Sequence, residues 1–421
     1  MNEKTRKRWD SIQNLIIALL AVSAVLLFTQ MYRPDSSGYW RLFDPTGAQA
    51  PSGNAGQSVP LTAPVHAVVT GPYGRFGSVT MTTSDEAFSP LRSLLEQALG
   101  SARSGASCEK EEFLQALDSI SVYCDFLSPL PLTVLADLMW TSGEDESVFV
   151  RQLAVVKQEN AVVLFLWDGR NSFLRCETAL TPEILENTIG RYELGGAQFA
   201  MDTLQTQYPD LAPCSLFLEE EPALPVLASV SALSDSTLLL TALGFNPNTQ
   251  NRYPDANGTQ VIMENGRTLR IHTDGTIAYR SGGSGLLSIS AEGEVPTLLE
   301  ASLGCGSLLN TLLSSVSGDS TIWLKDIRQN GTSTTLHFGY QSGGVPIRFS
   351  DGGHAASITL SGTAVSALTL RVRQYSAQDE LSLLLPLPQA LAVSTQYPGR
   401  ELTLSYVDNG TDTVSVQWLA A

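Results

Sequence analysis

A hydroxyl and an amine three residues apart, in Ser107-Cys108-Glu109-Lys110, have the spacing at which a lysine can act as base toward a serine nucleophile. That pair would make the protein an extracytoplasmic serine hydrolase using Ser107 and Lys110. No K-T-G or S-D-N element follows to complete such a site, and two fixed positions recur by accident in 421 residues. Gly282-Gly283-Ser284-Gly285 lacks the closing glycine of G-x-S-x-G and has the composition of a loop. His66, His272, His337 and His354 show neither H-E-x-x-H nor H-x-H spacing, and each lies in or beside a strand-like run. They read as structural or surface groups, not metal ligands.

Carboxylates cluster in Glu109-Lys110-Glu111-Glu112, Glu144-Asp145-Glu146 and Glu219-Glu220-Glu221, where adjacent charges form solvated surface and not an acid/base pair. Calcium loops of the D-x-D-x-D-G type and phosphate-binding glycine motifs are absent. The cysteines Cys108, Cys124, Cys176, Cys214 and Cys305 are odd in number and scattered, which fits neither a zinc site nor a disulfide framework. Isolated buried thiols are the expected role. The residues therefore predict a protein that is not an enzyme and that has no cofactor or metal.

The elements around these residues predict an α+β chain. A single N-terminal transmembrane helix is followed by two or three extracytoplasmic domains of antiparallel sheet with packed helices. Helical spacing of Leu91, Leu94, Leu95 and Leu99 places a helix over 86–99, with others at 111–117 and 132–139. Strands are expected at 67–70, 78–82, 119–126, 148–156, 161–167 and 173–178, with Asp168-Gly169 as a turn. Thr181 followed by Pro182 marks a helix start for 181–192. Further on, helices are expected over 234–243, 297–314 and 383–392. Strands are expected over 321–327, 334–340, 345–349, 357–360 and 367–375.

Residues 11–32 contain no charge, and 15–28 are nearly all Leu, Ile, Ala and Val. About 20 helical residues span a bilayer's hydrocarbon core. Residues 1–10 form a basic leader, with Lys4, Arg6, Lys7 and Arg8 against Glu3 and Asp10, so the N-terminus stays cytoplasmic and the remainder is exported. A removed signal peptide would end in small residues, whereas this stretch ends in Leu26-Leu27-Phe28. Residues 33–64, rich in Gly, Pro, Ser and Ala, read as a flexible linker. Two regions follow: an N-terminal α+β domain over 65–225 and a C-terminal one over 226–421. The latter reads either as one region or as two related units split near 295. The chain carries a net charge of −17, and its leader is net positive. The exported surface therefore repels nucleic acid.

Two segments repeat a pattern. Gly266-Arg267-Thr268-Leu269 precedes the turn Asp274-Gly275-Thr276, and Gly399-Arg400-Glu401-Leu402 precedes the turn Asn409-Gly410-Thr411; each follows a helical stretch. Asn257, Asn330 and Asn409 each begin an Asn-Gly-Thr sequon, but Asn-Gly is also the commonest tight turn, and turns are the expected role.

The layout, together with Gly266-Arg267-Thr268-Leu269-Arg270 through Asp274-Gly275-Thr276-Ile277-Ala278-Tyr279, resembles the YycH/YycI family of Gram-positive bacteria. These proteins are accessory regulators of the YycG (WalK) sensor histidine kinase. Gly343-Gly344-Val345-Pro346-Ile347 is similar to the family's N-G-x-P-V turn, with Gly-Gly in place of Asn-Gly, and Leu387-Pro388-Gln389-Ala390-Leu391 fits its closing helix. The resemblance covers roughly 240–421. It implies a membrane-anchored, non-catalytic regulator of a sensor histidine kinase, acting through its transmembrane helix and extracytoplasmic contacts. A second YycH/YycI-like regulator would be a further partner. Small residues Ala18, Ala21, Ser23 and Ala24 on the anchor would allow close approach to a kinase helix. An envelope or cell-wall binding or scaffold protein is the alternative.

Overall fold

The computed structural model describes residues 62–420, less 63, 83–84, 139–147, 205, 232–235, 250, 283–286, 290–294, 314–315 and 317. The leader, the anchor with Ala18, Ala21, Ser23 and Ala24, and nearly all of the linker lie outside them, as does Glu144-Asp145-Glu146. Among the described residues no helix is long and apolar enough to cross a membrane.

The chain is α+β and mostly antiparallel, as the alternating runs predict. The first segment runs β1 (His66–Gly71), β2 (Gly74–Ser78), α1 (Ser89–Ser101), β3 (Arg103–Ser107), α2 (Lys110–Ala116), β4 (Ser121–Pro131) and α3 (Leu132–Leu138). It continues through β5 (Phe149–Gln158), β6 (Ala161–Trp167), β7 (Phe173–Glu177), α4 (Pro182–Ile189), β8 (Ala197–Phe199), α5 (Ala200–Thr203) and β9 (Leu216–Leu218). Its strands form one nine-stranded sheet, β3-β7-β6-β5-β4-β1-β2-β8-β9.

The second segment has β10 (Pro225–Ser231), α6 (Ser236–Ala242), β11 (Arg252–Pro254), β12 (Gln260–Glu264), β13 (Arg267–Ile271), β14 (Thr276–Ser281) and α7 (Leu298–Leu313). Then come β15 (Ser320–Asn330), β16 (Ser333–Ser342), β17 (Val345–Phe349), β18 (Ala356–Ser361), β19 (Ala364–Arg371), β20 (Arg373–Leu381), α8 (Leu387–Ser394), β21 (Leu402–Asp408) and β22 (Thr413–Ala420). These strands form a thirteen-stranded sheet in which, among the described strands, β17 and β21 are the one strand pair that runs parallel. Each sheet is thus drawn from one side of the 218–225 junction. The two share one apolar core, running from Ala67 through Val416, and residues 60–421 form one compact unit.

Local chemistry explains the elements. Leu91, Leu94 and Leu95 of α1 are buried at helical spacing. Gly258, Gly331 and Gly410 sit at φ of +78°, +61° and +80°, so all three Asn-Gly-Thr segments are turns between strands. Pro182 opens α4 as expected, but the Thr181 side chain makes no capping hydrogen bond. The run 367–375 is two strands, β19 and β20, broken at Val372, whose N–H turns away to the carbonyl of Gly275. The two Gly-Arg hairpins also differ. Arg267 is buried and donates to the carbonyls of Leu243 and Gly244 beyond α6, whereas Arg400 is exposed and its neighbour Glu401 is buried.

Candidate functional site

Two β-bulges set up one pocket where the sheets meet. In β15, Leu324 pairs with Phe338 and Asp326 with His337, so Lys325 is an extra residue opposite no partner. Such a bulge re-aims its side chain, and Lys325 lines the pocket. In β4 the pairing with β5 jumps from Asp125–Gln152 to Leu130–Val150, and the looped-out residues carry Leu127 and Ser128 into the pocket wall. Leu127 adopts φ +59°, an uncommon conformation for a branched side chain. Its N–H donates to the Asp125 carboxylate at 2.6 Å, which holds the bulge in place.

The other walls come from the second sheet: Trp323, Phe338, Ile347, Arg348, Phe349 and His354. The Trp323 indole donates to the Tyr340 carbonyl at 3.3 Å. Phe349 is fixed by the Arg371 guanidinium lying 4.6 Å from its ring centroid, and Arg371 is itself paired with Asp351 at 2.7 Å. His354 stacks on His337 with ring centroids 4.1 Å apart. The Nδ1 atoms of both rings are buried and have no hydrogen-bond partner among the described residues. The cavity measures about 120 Å³.

Electrostatically the pocket is positive inside an acidic protein. Arg348 makes no hydrogen bond or ion pair with any described residue. Burial and the nearby Arg151 charge hold its pKa below the ordinary guanidinium value. Burial and Arg348 likewise hold Lys325 down, against the pull of Asp326, which is bonded at 2.6 Å to Arg328. Burial, then His337, Lys325 and Arg328, push His354 down to about 4, and His337 is lowered chiefly by burial. Both rings are therefore neutral at pH 7, and the fixed charge of the pocket rests on Arg348 and Lys325.

Behind the pocket the charges are compensated. Asp125, fully buried, accepts from Gln152 at 2.7 Å and from Arg151 and Tyr123 at 3.3 Å each. Arg151 also donates to Glu401.

The sequence-derived candidates fall elsewhere. Ser107 ends β3 and Lys110 begins α2; both are exposed, no hydrogen bond joins them, and neither lines the pocket. Among the described residues no group of three or more His, Cys, Asp or Glu is placed to hold a metal ion. The five cysteines are free thiols. Burial raises them all, Cys108 to about 11 and Cys124 to about 12, so they are inert at neutral pH. His337 and His354, read separately as surface or structural groups, are brought together by the antiparallel course of β16 and β18. Lys325 and Arg348 were missed; their one sequence signal is that Lys325 is among only three lysines beyond the leader.

Comparison with protein families, curated proteins and solved structures finds no match to this chain.

Proposed function

We propose that this chain is a membrane-anchored, non-catalytic regulator of a partner membrane protein, a sensor histidine kinase. Its exported α+β part is a sensing module, and residues 11–32 are the contact with the kinase. The observation that carries the sensing role is the positive pocket at the sheet junction. A ligand there touches β4 of one sheet and β15 and β17 of the other, so occupancy biases how the sheets meet. The uncharged segment 11–32 behind a basic leader supports the anchored topology. The Gly266–Tyr279 resemblance supports the kinase as partner. The exposed, unbonded state of Ser107 and Lys110 favours this reading over a hydrolase.

The test is crosslinking of the full-length protein in its native membrane, mild-detergent pulldown and mass spectrometry. A histidine kinase crosslinked within 11–32 is the expected result. Recovery of wall-assembly proteins alone would overturn the kinase reading and favour an envelope scaffold. Exchanging residues 15–28 for an unrelated membrane helix should abolish regulation with expression unchanged.

A further inference from the structure

We propose that the pocket between the two sheets binds a small monocarboxylate with a flat apolar body, its carboxylate held by Arg348 and Lys325. This goes beyond the regulator reading and does not depend on which partner the anchor meets.

The argument begins with charge. A half-buried cation without a counter-ion loses part of its hydration for nothing in return, and both Arg348 and Lys325 are half-buried. Among the described residues Arg348 has no counter-ion: its guanidinium stays charged, and its charged neighbours are Lys325 and Arg151. Arg151 is already committed to Asp125 and Glu401. The site is therefore complete only when an anion sits between Arg348 and Lys325. A planar guanidinium fork matches a carboxylate with two parallel hydrogen bonds, and the ammonium adds a point charge.

Shape and global charge narrow the class. Beside Ser128 and His354, the larger lining side chains are apolar or aromatic: Leu127, Trp323, Phe338, Ile347 and Phe349. A bare inorganic anion would leave those faces uncovered, whereas an aromatic body stacks on them. A cavity of about 120 Å³ is close to one that holds a benzene ring, about 150 Å³. The net charge of −17 repels polyanions more strongly than monoanions, so one carboxylate is favoured over a phosphorylated ligand.

The test is ligand-observed fluorine NMR and calorimetry on the full chain in non-ionic detergent, with 4-fluorobenzoate as probe. Saturable binding is expected. Benzamide, the neutral isostere, should fail to compete, and inorganic phosphate should compete at least tenfold more weakly than benzoate. Arg348→Met and Lys325→Met should each weaken binding at least tenfold. Lys157→Met, which removes a cation paired with Glu186 on the first sheet, should leave it unchanged. Without ligand, Arg348→Met should melt no lower than wild type, because it removes an uncompensated charge; that result also shows the variant folded. Unchanged probe affinity in a folded Arg348→Met would overturn the proposal, as would equal competition by benzamide or phosphate, or no saturable binding to folded wild type. None of these results depends on recovering a kinase.

Discussion

Arg151 on β5 of the first sheet donates to Glu401 at the threshold of β21 in the second, joining residues 250 apart in sequence. The same guanidinium faces Asp125, so two buried carboxyl groups share one cation across the sheet junction. Removing one partner of a buried charged set strands the others, typically at about 3–5 kcal/mol. Arg151→Met should therefore destabilise the folded chain by about that amount, measured as the shift in urea midpoint. A loss under about 1 kcal/mol would mean that the junction is held by apolar packing alone.

Glu401 gives that set a pH dependence. Burial and then the Asp125 charge raise it to about 8, against the pull of Arg151. Unfolded, it titrates in the ordinary carboxylate range. Between the two values the folded state binds the extra proton, so stability falls as pH rises. Glu401→Gln, a neutral isostere, should flatten the stability profile between about pH 6.5 and 8, where the histidines titrate alike in both proteins. Parallel profiles for the two proteins in that window would show that Glu401 is ionised throughout.

Histidines act in the opposite sense on the acid side. His354 titrates near 4 in the folded chain, and His66 and His337 are also held below their usual value of 6.5, each chiefly by burial. From about 6.5 down to about 4 the unfolded state binds more protons, so stability is lost as pH falls through that range. The double variant His337→Phe/His354→Phe keeps the stacked rings and should lose less stability between pH 6.5 and 4.5. Proton NMR of the wild type offers an independent check, since a His354 ring titrating near 6.5 would contradict the buried arrangement.

Much of the fold was legible because it rests on local chemistry. Leucine spacing marks α1, and the three Asn-Gly steps mark hairpin turns because positive φ is needed there. The candidate site was not legible, for a physical reason. A strand's period of two assumes regular pairing, and both walls of the pocket are made where pairing slips, at Lys325 and at Leu127–Ser128. Arg348 looks like an ordinary strand residue, and its lack of an ion pair with any described carboxylate exists only in three dimensions. The Gly266 and Gly399 repeat shows the converse limit. Its similar letters place Arg267 against the end of α6 but leave Arg400 exposed, with Glu401 carrying the buried contact instead.

Arg75 is the most heavily bonded cation of the first sheet. It grips Asp202 with two hydrogen bonds of 2.8 and 2.7 Å, donates to the Leu117 carbonyl at 2.7 Å, and lies 4.6 Å over the Phe199 ring. A lysine keeps the charge but loses the fork and the flat face. Arg75→Lys should cost about 2–3 kcal/mol, because hydrogen bonds to charged groups are worth about 1.5–3 kcal/mol. Thermal melts of the two proteins decide it, and coincident curves would mean that charge alone matters.

Leu127 separates strain from packing. Its φ of +59° carries a penalty of about 1–2 kcal/mol for a residue with a Cβ, and glycine has none. Leu127→Gly should therefore be at least as stable as Leu127→Ala, the reverse of the usual order, because alanine keeps the strain and loses the side chain. Both substitutions remove the same wall from the pocket, so both should weaken 4-fluorobenzoate binding several-fold. Urea midpoints rank the two proteins for stability, and fluorine NMR reads the affinity. If alanine proved the more stable, the bulge would not be strained. If affinity were unchanged in both, the first sheet would have no part in the pocket, and ligand binding could not bias the junction held by Arg151 and Glu401.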